Sequence, residues 1–174
     1  MKDVMLDLET FGNGNNAVIV QIGACYFDRT TGEIGSTFSS NVNSNDGIRN
    51  GFEVTGSTIE WWLQQSEEAR KSIIGNTHPV KDAINDLNEF LSKAETIWSH
   101  ATFDFVIIMN HLNKLGIKPK FHYRSARDIR TLVDIASVKE SKVVREGTHH
   151  NALSDCLFQV KYCVECFNKL KGVV

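Results

Sequence analysis

Apolar and polar residues alternate in steps of two along the first part of the chain. From Val4 to Glu9, Leu6 and Leu8 fall on one face of a strand, while Met5, Asp7 and Glu9 fall on the other. Val18 to Phe27 reads as a second strand. Asp28 to Gly32 is rich in turn formers, and Ile34 to Val42 returns as a third strand. Connections this short predict an antiparallel meander. A polar stretch from Asn43 to Gly56 reads as a loop. From Ser57 the period lengthens, and a helical region runs through Lys71. Between Pro79 and Ser92, Val80, Ile84, Leu87 and Leu91 recur at three- and four-residue steps, the stripe of an amphipathic helix. Thr96 to His100 is a short strand, and Phe103 to Leu115 is a helix stopped by Gly116. Phe121 to Ala126 reads as a strand, Ile129 to Ser137 as a helix, and Asn151 to Lys171 as a long closing helix with Asn151 as its N-cap.

That order, βββ-αα-β-α-β-α-α, predicts an α/β fold: a five-stranded mixed sheet of three antiparallel and two parallel strands, covered by helices. Helix-linked strands added beside the first strand bury it on both faces. A strand so placed should be apolar throughout. Asp7 and Glu9 break that rule and need an explanation.

Composition narrows the setting. With 174 residues, 41% of them apolar, the chain is expected to fold as one domain, residues 1–174. Its apolar runs are too short for a membrane helix, and Met1-Lys2-Asp3 leads straight into a strand without a signal-peptide pattern, so the expectation is a cytoplasmic protein with no membrane partner. Cys25, Cys156, Cys163 and Cys166 lie among apolar residues and read as reduced core residues. The Cys163-x-x-Cys166 pair lacks a second ligand pair at finger-like spacing. The net charge of −2 is unevenly spread: residues 114–145 carry nine Lys/Arg against three acids. Such a segment creates a local phosphate-attracting field or is an ordinary solvated surface. No pattern in the sequence decides for or against a homo-oligomer.

Carboxylates carry the candidate chemistry. Asp7 and Glu9 share a strand face, roughly 7 Å apart along the chain. Buried like charges repel and lose hydration, so they persist with cations or strong partners, and hard oxygen ligands favour Mg²⁺ or Mn²⁺. A strand-end pair exposed to water is the bland alternative. Asp104, in Trp98-Ser-His-Ala-Thr-Phe-Asp-Phe105, sits at a strand-to-helix junction, where sites gather in α/β sheets and where a helix dipole also welcomes an acid. In His149-His-Asn-Ala-Leu-Ser-Asp155, the N-cap at Asn151 leaves His150 in the loop and Asp155 in the helix's early turns. A histidine placed there is suited to take a proton from an attacking water.

In order and spacing, Asp7-Leu-Glu-Thr10, Phe103-Asp104 and His150-x₄-Asp155 resemble the three motifs of the DEDDh (DnaQ-like) 3′–5′ exonucleases. Thr58-Ile-Glu-Trp-Trp62 and Arg127-Asp-Ile-Arg-Thr131 look closer still to the phage DexA-type branch. The resemblance spans nearly the whole chain. It implies an RNase H-like fold and a two-metal hydrolysis that releases nucleoside 5′-monophosphates from single-stranded DNA or RNA 3′ ends. It further implies two Mg²⁺ or Mn²⁺ ions held by Asp7, Glu9, Asp104 and Asp155, with His150 as general base. The adjacent His149 departs from the usual pattern, and the base assignment rests on the four-residue spacing to Asp155. By the same resemblance Thr10, Phe11, Gly12 and Phe103 are expected to face the terminal nucleotide.

Trp61 and Trp62 are neighbours on a helix, so one of them is free to stack on a base unless both pack at a helix junction. Asp128, between Arg127 and Arg130, reads as an ion-paired structural acid. Two other functions fit the same residues: a nucleic-acid-binding module without turnover, and a metal-dependent phosphohydrolase of very short oligonucleotides.

Overall fold

A computed structural model describes residues 1–140 and 143–172. Its sheet has five strands in the order β3-β2-β1-β4-β5: β1 (Asp3–Thr10), β2 (Ile19–Phe27), β3 (Ile34–Asn41), β4 (Thr96–Ser99) and β5 (Ala126–Asp128). β1 pairs antiparallel with β2, and β2 antiparallel with β3. β4 lies parallel to β1, and β5 parallel to β4. The expected mixed sheet is therefore present, with β1 at its centre.

Among the described residues seven α-helices accompany it: α1 (Ser44–Arg49), α2 (Gly56–Leu63), α3 (Glu67–Ser72), α4 (Val80–Phe90), α5 (Asp104–Lys114), α6 (Ile129–Ala136) and α7 (Ala152–Leu170). Strand alternation splits the core into two layers. Val4, Leu6 and Leu8 of β1 pack with Ile84 and Leu87 of α4 and Ile108 and Leu112 of α5. On the other face Met5 packs with Ile129 and Leu132 of α6 and Phe158 and Tyr162 of α7. Asp7 and Glu9 share the face of Met5, so they look toward α7. Every residue of β1 is buried, as its central place requires.

Three elements depart from the sequence reading. The polar stretch after β3 contains α1: Asn43 caps it by accepting from the Asp46 amide at 3.0 Å, and Asp46 in turn accepts from the Val80 amide at 2.8 Å. The helical region from Ser57 to Lys71 breaks into α2 and α3, because the Ser66 side chain caps a new helix at Ala69 (3.1 Å) and Arg70 takes the Leu63 and Gln65 carbonyls. The last strand is Ala126–Asp128 rather than Phe121 to Ala126. Phe121 is an anchor instead, packed edge-on to Phe105 at 5.9 Å, and Tyr123–Ser125 forms a 3₁₀ turn closed by His122, whose ring accepts from the Arg124 amide.

All four cysteines are buried thiols. Cys156 donates to the Gly23 carbonyl at 3.2 Å, and Cys25, Cys163 and Cys166 pack in the α6/α7 layer. Among the described residues no helix is long and apolar enough to cross a membrane.

Candidate active site

α7 approaches the sheet closely at its own start. Gly23 pairs with Asp7 across β1 and β2, and a Cβ at Gly23 would lie 2.3 Å from the backbone of Ala152 and Leu153. Only a residue without a side chain lets the helix start this close. Gln21 pins the same point: its Oε1 accepts from the Ala152 amide at 2.8 Å, while its Nε2 donates to Asn41 Oδ1 and to the Ser72 carbonyl. Asn151 caps α7 as the sequence predicts, accepting from the Ser154 amide at 3.1 Å. Asp155, in the first turn, is thereby set over β1.

The structure brings the four predicted acids together. Ligand atoms of Asp7, Glu9 and Asp155 lie within 4.8 Å of one another, and so do those of Asp7, His100 and Asp104. Asp7 belongs to both groups. It is fixed by Gln159, one turn beyond Asp155, whose Nε2 donates to Asp7 Oδ1 at 2.7 Å. Asp104 latches two chain segments: Oδ1 accepts from the Leu8 amide at 3.1 Å and Oδ2 from the His100 amide at 2.9 Å. Arg145 pairs with Asp155.

The acids are 1–8% exposed, and among the described residues Arg145 on Asp155 is the one arginine or lysine paired with any of them. Burial, then the neighbouring Asp104, Glu9 and Asp155, holds the Asp7 carboxyl well above the usual range. Burial, then Asp155 and Asp104, raises Glu9 to about 8. Burial raises Asp104 to about 7, against the pull of its backbone donors. Clustered carboxylates that hold protons near neutrality fit a site that takes divalent cations, and an all-oxygen set suits hard ions.

His150 adopts φ 59°, the left-handed region rarely used by residues other than glycine. Its ring lies edge-on to Trp61 at 4.6 Å and beside His149 at 3.8 Å. Both histidines have a ring nitrogen close to the Asp155 carboxylate. His150 is half-buried and His149 exposed, and burial followed by the His149 charge lowers the His150 pKa, which keeps that imidazole neutral and able to accept a proton.

The other predicted residues divide by exposure. Trp62 is buried and donates to the Thr10 carbonyl at 2.9 Å, whereas Trp61 is 40% exposed beside His150. Thr10 and Gly12 are buried in the turn after β1, joined by a Thr10 hydroxyl bond to the Gly12 carbonyl at 2.6 Å. Half-buried Phe11 meets Trp62 edge-on at 6.5 Å, and half-buried Phe103 begins α5. Asp128 is a cap and brace: it accepts from the amide and hydroxyl of Thr131 and from the Ala101 amide.

The basic segment does not form one field around the acids. Lys118, Lys120 and Arg124 precede β5 and so lie toward the N-terminal ends of the parallel strands, away from Glu9 and Asp104; Lys120 pairs with Glu89, and Lys114 bonds the Gly51 carbonyl. Arg130 stands near the acids, lowering the pKa of His100 after burial does, to about 4. Lys142 lies outside the described residues. The sequence reading missed Gln21, Gly23, His100 and Gln159, and counted Arg145 only as one cation of the basic segment. Gly23 alone left a signal, a glycine inside a strand.

The 3′–5′ exoribonuclease Rv2179c-like domain matches residues 2–167. An exodeoxyribonuclease of enterobacteria phage T4 is 27% identical over 207 residues, covering 94% of this chain and 89% of that protein. Escherichia coli exonuclease I in complex with a dT13 oligonucleotide superimposes with a TM-score of 0.69 at 11% identity, over 98% of this chain and 42% of the larger enzyme. This chain thus spans less than half the length of exonuclease I. The nuclease domain of 3′hExo, a DEDDh family member bound to rAMP, superimposes with a TM-score of 0.64 at 11% identity, over 98% of this chain and 92% of that domain. These likenesses establish an RNase H-like fold.

Proposed function

This chain belongs to the 3′–5′ exoribonuclease Rv2179c-like domain family, and we propose that residues 1–174 act as one domain that hydrolyses single-stranded nucleic acid from the 3′ end to nucleoside 5′-monophosphates. The observation that carries this reading is the sharing of Asp7 between two groups of ligand atoms, Asp7–Glu9–Asp155 and Asp7–His100–Asp104. One carboxylate common to two cation positions is the arrangement a paired-metal phosphodiesterase needs. The oxygen donors fit Mg²⁺ or Mn²⁺.

Two divalent ions bound there would polarise the phosphate, activate the attacking water and stabilise the departing 3′ oxygen. The protein's own groups do the rest. His150 takes the proton of the water that attacks phosphorus. The P–O3′ bond breaks in line, leaving a 3′-hydroxyl on the shortened strand and a 5′-monophosphate on the released nucleoside. Gln159 donates to Asp7 Oδ1 and so orients the carboxylate that would serve both positions. Trp61, exposed beside His150, offers a ring to the terminal base.

The test is degradation of 5′-labelled DNA and RNA oligonucleotides of matched sequence with Mg²⁺, with Mn²⁺ and with EDTA. A ladder shortening from the 3′ end, metal-dependent and lost in Asp7→Asn, supports the reading. Tight binding without cleavage points to a binding module, and cleavage confined to di- and trinucleotides points to a short-oligonucleotide phosphohydrolase.

A further inference from the structure

Arg145 lies in the segment before α7 and pairs through Nη1 with Asp155 Oδ1. Its guanidinium carbon stands 4.0 Å from the centre of the Phe158 ring, one turn along α7. The segment is moored to the same helix by Lys161, which binds Glu146 at 2.7 Å and the Val144 carbonyl. Among the described residues Arg145 is the one arginine or lysine in salt-bridge contact with any of the four acids. Its side chain is nevertheless 30% exposed, against 11% for Asp155. It is therefore a cation at the mouth of the carboxylate cluster, on an oxygen that a divalent ion would need.

We propose that Arg145 is a phosphate-binding residue held in reserve: it is paired with Asp155 in the metal-free protein and turns to the phosphodiester of the bound strand when Asp155 ligates metal. The proposal rests on the exonuclease reading for the identity of its ligand. A divalent ion on the Asp155 carboxylate repels the guanidinium and takes its acceptor. The freed planar fork of N–H donors matches the non-bridging oxygens of a phosphodiester. Phe158 gives the guanidinium a face to rest on in either state. Metal and strand then help each other bind, because a strand that draws Arg145 away uncovers Asp155, and the coupling is reciprocal.

A double-mutant cycle tests this without turnover. Binding of a fluorescent single-stranded oligonucleotide is measured in EDTA for wild type, Asp155→Asn, Arg145→Gln and the double variant. Asp155→Asn releases Arg145, so it should tighten strand binding, and the gain should be larger by about tenfold than the gain from the same change in the Arg145→Gln background. Arg145→Lys, which keeps the charge but loses the fork, should recover part of the difference. A second readout is calorimetric Mn²⁺ binding without strand, where Arg145→Gln should bind more tightly than wild type because the competing cation is gone. Equal gains in the two backgrounds, or Mn²⁺ affinity unchanged in Arg145→Gln, would overturn the proposal and leave Arg145 as a structural clamp. The arms separate it from the parent reading. Coupling without any 3′ ladder supports the phosphate role in a non-cleaving protein, whereas a ladder without coupling overturns the role in a working nuclease.

Discussion

Raising the pH should destabilise the metal-free protein, and only above the histidine range. Glu9 and Asp104 hold their protons to about 8 and about 7, and Asp7 is shifted in the same direction. A carboxyl whose folded pKa is raised above its unfolded value contributes stability at low pH and loses it as pH rises through the folded pKa. His100 and His111 act in the opposite sense. Burial, the main cause, lowers each to about 4, so their contribution is present above 6.5 and lost as pH falls toward 4. Between pH 4 and 6.5 the two sets oppose one another and stability should change little. From pH 6.5 to 8 only the acids titrate. Each retained proton is worth about 1.4 kcal/mol per pH unit, so two to three interacting acids should remove about 2–4 kcal/mol. For a chain of this size that lowers the melting temperature by roughly 5–15 °C. The assay is thermal unfolding in EDTA across pH 5–8.5, for wild type and Asp7→Asn. The Asn variant should melt higher at pH 8 and show a flatter profile, and Mn²⁺ at pH 8 should raise wild type far more than the variant. A wild-type profile that is flat or rising above pH 6.5, matched by Asp7→Asn, would refute the idea that these acids are crowded out of water.

Three further outcomes follow from the same geometry. His150→Ala should lower turnover by about 10²–10⁴-fold while leaving calorimetric Mn²⁺ binding largely intact; His149→Ala should do much less, and a larger loss at His149 would reassign the base. Gly23→Ala forces the start of α7 off the sheet, so it should cost about 1–3 kcal/mol of stability in urea unfolding and, by misplacing Asp155 and His150, lower kcat by on the order of 10²-fold. Neutralising Lys118, Lys120 and Arg124 together should leave the salt dependence of strand binding unchanged, since each lost phosphate contact would otherwise flatten the log–log slope by about 0.7.

Periodicity made the sheet legible because its strands obey local rules. β1 shows the alternation that sorts Leu6 and Leu8 from Asp7 and Glu9, and α4 shows its stripe. The errors lie where tertiary contacts outrank local preference. α1 is polar and contains Gly47, yet it forms because Asn43 caps it and Asp46 holds the first amide of α4. The aromatic run at Phe121 has strand-forming residues, but Phe121 is drawn to Phe105 and the strand starts later, where Ala126 meets Ile97.

The site was legible for a related reason, and illegible for a different one. A charged residue on a central strand violates its surroundings, so Asp7 and Glu9 are conspicuous from sequence alone. The residues that make the site geometrically possible violate nothing. Gln21 is an uncharged polar residue in a buried strand and Gln159 an ordinary polar residue of a long helix, and each acquires meaning only from partners 131 and 152 positions away. The basic segment misled for the converse reason. Sequence adjacency gathered nine cations, but parallel strands send the chain to one end of the sheet before returning it, so Lys118 and Lys120 are separated in space from Arg130 and Arg145. Charge clusters when topology, rather than sequence, brings it together. The acids of this site, drawn from β1, α5 and α7, are clustered in that way.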